Sequence, residues 1–270
     1  METYSPYNSR NTPFCAEDIQ RILCTHGLHQ YTPHSTILFQ KAMVHSTYVK
    51  RSEYTTLTGA PIQLAPCPPG VLDLQPESYE QLEFVGDSML GSVVANYLQE
   101  RFPDENPGFL TNTRKLLVRN RTLGILARDH LKLDKYFVIS KHVEDMKVEH
   151  GRQNLEKLGD VLEAFIAALW FDCGKDFGVV YKFITTVIET YLDIPLLLRE
   201  DDNFKDRMQK YCQQTHHYTP IYKMVSSENG EFTMNVCTPD GTPLGTGVAL
   251  TKKTAEQLAC KEALQKWGVI

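Results

Sequence analysis

The sequence predicts two folded units in series, an all-α domain over residues 16–198 and a compact α+β module of order α-β-β-β-α over 203–270. Three observations carry this. Apolar residues recur at three- and four-residue spacing through most of the first unit. The period switches to two after about residue 220, with turn signals between the apolar runs. Between the units, 199–202 is a short charged linker, and residues 1–15, polar with Pro6 and Pro13, read as a flexible N-terminal arm.

The elements follow in order. A first helix starts at Ala16, buries Ile19, Ile22 and Leu23, and stops near Gly27. A second runs over 35–48 with Leu38, Phe39, Ala42 and Met43 apolar; His45 within it is assigned to structure rather than catalysis. Residues 51–78 change character. Pro61, Pro66, Pro68, Pro69, Gly70 and Pro76 mark a proline-rich insertion or long loop. A long helix over 78–101 comes next, then a break at Pro103 and Pro107-Gly108. A basic helix over 110–121 carries Arg114, Lys115, Arg119 and Arg121, either to meet phosphates or as a solvated face. A short helix over 123–130 and a loop over 131–139 precede a nearly continuous apolar helix over 154–172, which must be deeply buried. A helix over 175–192 closes the domain. In the module, a helix over 204–214 leads to strands at 221–225, 231–238 and 244–250 and a last helix over 251–267.

Composition narrows the classes. The 270 residues are 42% hydrophobic, enough for sizeable cores, and the net charge of −5 hides any local basic field. Seven cysteines without a CxxC pair argue against a disulfide framework or a zinc site and point to a reducing interior: intracellular, cytoplasmic, with nucleus or organelle left open. No 18-residue apolar run exists, so no membrane span is expected.

The chemistry concentrates on two helices. Glu80, Glu83 and Asp87 fall three and four residues apart, on one helical face. Such spacing alone also describes an ordinary solvated face. Asp160 and Glu163 sit on the most apolar helix of the chain, where unpaired carboxylates are costly. Lys157, one turn earlier, offers a salt bridge as the modest alternative. Gly86 and Gly159 interrupt these helices and suit close approach. If the helices face each other, Glu83, Asp87, Asp160 and Glu163 can hold one or two Mg²⁺ ions, with Mn²⁺ able to substitute.

These residues resemble the catalytic domain of ribonuclease III. Glu80 to Leu90 matches the signature E-x-L-E-F-x-G-D-x-x-L, Ala42 to Tyr48 the preceding A-x-x-H box, and Gly159 to Ala164 the second acidic box. The resemblance implies that Glu83, Asp87, Asp160 and Glu163 bind metal and activate water, and that Lys157 contacts the scissile phosphate. It places Glu80 nearer a dimer interface and packs Phe84 into a partner subunit. It further implies a homodimer whose two sites cut opposite strands, leaving 5′-phosphate and 3′-hydroxyl ends.

In the module, Gly245 to Ala259 resembles the G-x-G-x-x-x-S-K-K box of the double-stranded RNA-binding domain. That implies RNA contacts at Gln209, Lys252 and Lys253, across minor grooves and intervening phosphates. The turn at 226–231 lacks the family's His and offers Glu228 and Glu231 instead, so the module's grip is expected to be weak. The expected function is Mg²⁺-dependent cleavage of double-stranded RNA in RNA processing. The alternatives are a non-cleaving duplex-binding protein on the same fold and a scaffold subunit in a heterodimer.

Overall fold

The computed structural model describes residues 3–55, 59–146, 151–199, 203–228 and 230–270. They form two compact units, Met1–Pro195 and Leu196–Ile270. The first contains β1 (Thr3–Tyr4), α1 (Ala16–Thr25), α2 (Ile37–Lys41), β2 (Gln63–Leu64), α3 (Glu80–Arg101), α4 (Pro107–Val118), α5 (Asn120–Ile125), α6 (Lys141–Glu144), α7 (Leu155–Asp172) and α8 (Phe177–Tyr191). Helix α9 (Ile194–Arg199) crosses the division.

Helix α7 is the centre of this unit. Every residue from Val161 to Leu169 is buried, including Glu163. Asn154 starts it by accepting the N–H of Lys157 at 3.0 Å, as its position ahead of an apolar run suggests. Helices α3 and α5 lie directly against it, and α8 closes the core with Val180, Phe183, Ile184 and Val187.

Three expectations need correction. Residues 3–15 of the expected arm are not loose. Tyr7, Asn8, Asn11 and Phe14 are buried. Both asparagines donate to the Ile139 carbonyl, at 3.2 and 2.9 Å, and Phe14 stacks on Tyr136 with centroids 4.4 Å apart. A buried Asn must find partners, and these are supplied from more than a hundred residues away, beyond any local pattern. The arm also meets the insertion, where β1 pairs in parallel with β2. Second, the helix expected over 35–48 is shorter. From Met43 the backbone pairs with Val138 instead, Val138 N–H to Met43 O at 2.8 Å and His45 N–H to Val138 O at 3.0 Å. Tertiary pairing here outweighs a helical pattern. Third, the basic helix begins at Pro107 rather than 110, because Asn106 caps it by accepting from Phe109 N–H; a proline in the first turn starts a helix rather than breaking one.

The second unit holds α10 (Phe204–Tyr211), β3 (Ile221–Glu228), β4 (Glu231–Cys237), β5 (Pro243–Ala249) and α11 (Lys252–Lys266). The strands form one antiparallel sheet in the order β3-β4-β5. Its core joins Met208 and Cys212 to Val236, Ala259, Ala263 and Leu264. Residues 200–202 of the expected linker and Asn229 of the expected turn lie outside the described residues.

Candidate metal centre and RNA-binding face

The site forms where α3 crosses α7. A Cβ on Gly86 would overlap the backbone carbonyl of Glu163, so the two helices meet backbone to backbone at that point and only glycine permits it. A second glycine contact sets the neighbouring helix: the backbone of Asn120, at the start of α5, would lie 3.0 Å from a Cβ on Gly159. Both glycines therefore do what their positions in the sequence suggest.

This crossing gathers Glu83, Asp160 and Glu163. One oxygen from each lies within 4.8 Å of the others. Glu163 is 4% exposed and is pushed up to about 8, first by burial and then by the charges of Asp87, Asp160 and Glu83. Burial, then the charges of Asp160, Asp87 and Glu80, raise Glu83, and burial raises Asp160. Three carboxylates crowded so that ionisation is disfavoured fit a divalent cation. Oxygen-only donors suit Mg²⁺ or Mn²⁺ rather than a softer metal.

Asp87 stands apart from that triad. It is exposed, one turn beyond Glu83, and reaches the site through its field on Glu83 and Glu163. Glu80 is exposed at the first turn of α3, and Phe84 is 76% exposed on the same helix. Lys157 is half-buried; burial lowers its pKa while Asp160 opposes the shift.

Two residues absent from the sequence expectation hold Asp160. Asn120 donates from Nδ2 to Oδ1 at 2.7 Å. Tyr79 donates from its hydroxyl to Oδ2 at 3.4 Å, and burial raises its own pKa. Neither has a spacing relation to Asp160 in the sequence. His45 belongs to the supporting layer. Its Nδ1 accepts from Thr47 N–H at 3.2 Å, and burial together with Lys157 lowers it to about 4.

In the second unit, Gly245 and Gly247 seat β5 on α11. A Cβ at either would overlap the Ala259 or Ala255 carbonyl, so the G-x-G spacing serves packing. That packing presents Lys252 and Lys253, both exposed, at the start of α11. Thr251 caps the helix by accepting Thr254 N–H at 3.2 Å, and Lys252 Nζ leans over the Phe232 ring at 5.6 Å. Gln209 is exposed on α10. Glu228 and Glu231 are cross-strand partners at the β3–β4 turn, so acidic residues occupy that end of the hairpin.

Comparison with known proteins agrees with both units. The family model for the ribonuclease III domain matches residues 80–174, and that for the double-stranded RNA binding motif matches 204–267. Ribonuclease 3 of Chlorobaculum tepidum is 32% identical over 196 residues, 71% of this chain and 70% of that protein. Ribonuclease 3 of Acinetobacter baylyi is 35% identical over 195 residues, 70% of this chain and 81% of that protein. A probable ribonuclease 3 of Acanthamoeba polyphaga mimivirus is 31% identical over 234 residues, 85% of this chain but 41% of that longer protein.

Proposed function

The chain belongs to the ribonuclease III family, and from that premise we propose that it is a Mg²⁺-dependent endoribonuclease that hydrolyses double-stranded RNA to 5′-phosphate and 3′-hydroxyl ends. The observation that carries the metal reading is the convergence of Glu83, Asp160 and Glu163 within 4.8 Å. These three, with Asp87 beside them, would hold the metal. Mg²⁺ bound there supplies Lewis-acid stabilisation of a phosphodiester and lowers the pKa of water.

The chain's own groups do the rest. Asn120 and Tyr79 fix the Asp160 carboxylate by a hydrogen bond to each oxygen. Burial of Glu163 puts its carboxyl in a poorly solvated place, where its attraction for a bound cation would be strong. Lys157 lies one turn of α7 from Asp160 and is suited to neutralise a phosphate oxygen next to the acids. Lys252 and Lys253 at a helix start, with Gln209, would take duplex phosphates and groove edges. Phe84 on the catalytic helix supports a homodimer, because a second copy would bury it and bring two cutting sites to one duplex.

The test is cleavage of a long labelled RNA duplex by the purified protein in Mg²⁺, beside Glu163→Gln and a Ca²⁺ control. Discrete cleavage that the mutant loses while still binding duplex is the expected result. Duplex binding without cleavage by the wild type would overturn the nuclease reading for the chain on its own and leave a duplex-binding role.

A further inference from the structure

We propose that Tyr79 is a positioning residue for the metal centre, a strut that fixes the Asp160 carboxylate relative to Glu83. The inference rests on the metal reading and adds a residue to it. Tyr79 precedes the first turn of α3 and touches both acid-bearing helices. Its carbonyl accepts the N–H of Leu82 at 2.8 Å and of Glu83 at 2.9 Å. Its hydroxyl donates to Asp160 Oδ2 on α7 at 3.4 Å. Its own N–H is anchored to the Val44 carbonyl at 2.8 Å.

The ring is immobilised as well. Tyr79 is 5% exposed, its centroid 6.0 Å from that of His45 and 6.3 Å from that of Phe137. One carboxylate oxygen of Asp160 is already held by Asn120. A single bond leaves a carboxylate free to swing about it, and a second from a packed phenol removes that freedom. Mutual repulsion among Glu83, Asp160 and Glu163 favours splayed arrangements, so a donor that ties Asp160 to the start of α3 selects the arrangement that converges. Groups that orient metal ligands in this way typically change metal affinity by about 10–100-fold when removed.

Tyr79→Phe tests this, because it keeps the ring, the packing and all backbone bonds and deletes only the hydroxyl. Two titrations are made on the full chain. Mn²⁺ binding is followed by electron paramagnetic resonance without RNA, and the Mg²⁺ midpoint of duplex cleavage is measured separately. The expected result is that both midpoints rise by about tenfold, that saturating Mg²⁺ restores cleavage to near the wild-type rate, and that duplex binding in Ca²⁺ and the metal-free melting temperature hold. Midpoints within about twofold of wild type would overturn the proposal. So would a lowered melting temperature with activity that added Mg²⁺ fails to rescue, which marks Tyr79 as merely structural. Failure of the wild-type protein to bind Mn²⁺ would instead sink the metal reading itself, and the strut with it.

Discussion

Gly86→Ala is the sharpest test of how this site is built, because local and tertiary effects predict opposite signs. In a helix interior, alanine is favoured over glycine by about 1 kcal/mol. At Gly86 the added Cβ overlaps the Glu163 carbonyl, far inside the ~3.5 Å at which such atoms rest. The obstacle is backbone on a buried helix, so no flexible side chain can yield; α3 and α7 must separate. Overpacking of this kind typically costs about 1–3 kcal/mol and occasionally more. A rigid backbone obstacle belongs at the upper end, which leaves a net loss of about 2 kcal/mol after the helical gain. For a domain of this size that is about 4–8 °C of melting temperature. Separation of the helices also spreads Glu83 from Glu163, and misplacement of about 1 Å costs on the order of 100-fold in rate.

Gly91→Ala is the internal control on the same helix, since nothing lies within 4 Å of a Cβ there. It should raise the melting temperature slightly and leave cleavage intact. Calorimetry of both variants, with Mg²⁺-dependent duplex cleavage alongside, decides the matter. If Gly86→Ala melts at or above wild type and cuts normally, α3 and α7 do not meet where the site requires, and the crossing described for them is wrong.

Other consequences are independent of that crossing. Glu163 is raised to about 8 in the fold against an unfolded value near 4.3. The folded state therefore holds the proton more tightly, and its stability falls as pH rises from the unfolded value through about 8. Metal-free protein in EDTA should melt lower above that pH than about two units below it, and Glu163→Gln should flatten the slope; an unchanged slope would remove Glu163 as its source. His45, lowered to about 4, works the other way, since its neutral form is favoured by the fold and stability is lost as pH falls from about 6.5 towards 4; replacing His45 with Gln should weaken acid unfolding in that window. Arg152→Met should cost about 1.5–3 kcal/mol in urea unfolding, because Arg152 donates to the buried Glu144 at 2.7 Å and to Asn11 at 3.0 Å, while Glu144 keeps Asn8 and Arg10. Lys252→Ala with Lys253→Ala should weaken duplex binding and lower the slope of log affinity against log salt by about 1 for each phosphate no longer neutralised; an unchanged slope would take these lysines off the phosphates.

What the sequence made legible was whatever depends on spacing within one element. The acids of α3, the burial of α7, the glycines at both crossings and the Lys252-Lys253 pair follow from helical geometry and from the cost of charge in an apolar run. The three strands follow from alternation, and between β4 and β5 Gly241 adopts the positive φ that a turn glycine tolerates. What was illegible depends on partners far apart in the chain. Asn120 and Tyr79 reach Asp160 from forty and eighty-one residues away. Within residues 3–15, Asn8 and Asn11 read as solvated polar residues but are buried and bonded to Ile139 and Arg152. The curtailed second helix is the same lesson, where Val138 captures a backbone that would otherwise coil.

The separation of Asp87 from the other three carboxylates has a structural cause. Gly86 is where α3 touches the α7 backbone, so Glu83, one turn earlier, is carried down beside Glu163 while Asp87, the next residue on, rotates about 100° away from the crossing. A helix that keeps one acid half-buried beside a neighbour and exposes another at i and i+4 has its closest approach between them and, in angle, nearer the first. The same rotation leaves Phe84, adjacent to Glu83, facing outward at 76% exposure. Burial of Glu163, convergence of the triad, exposure of Asp87 and exposure of Phe84 are thus consequences of a single backbone crossing. A chain with a side chain at position 86 would have to give up at least one of them.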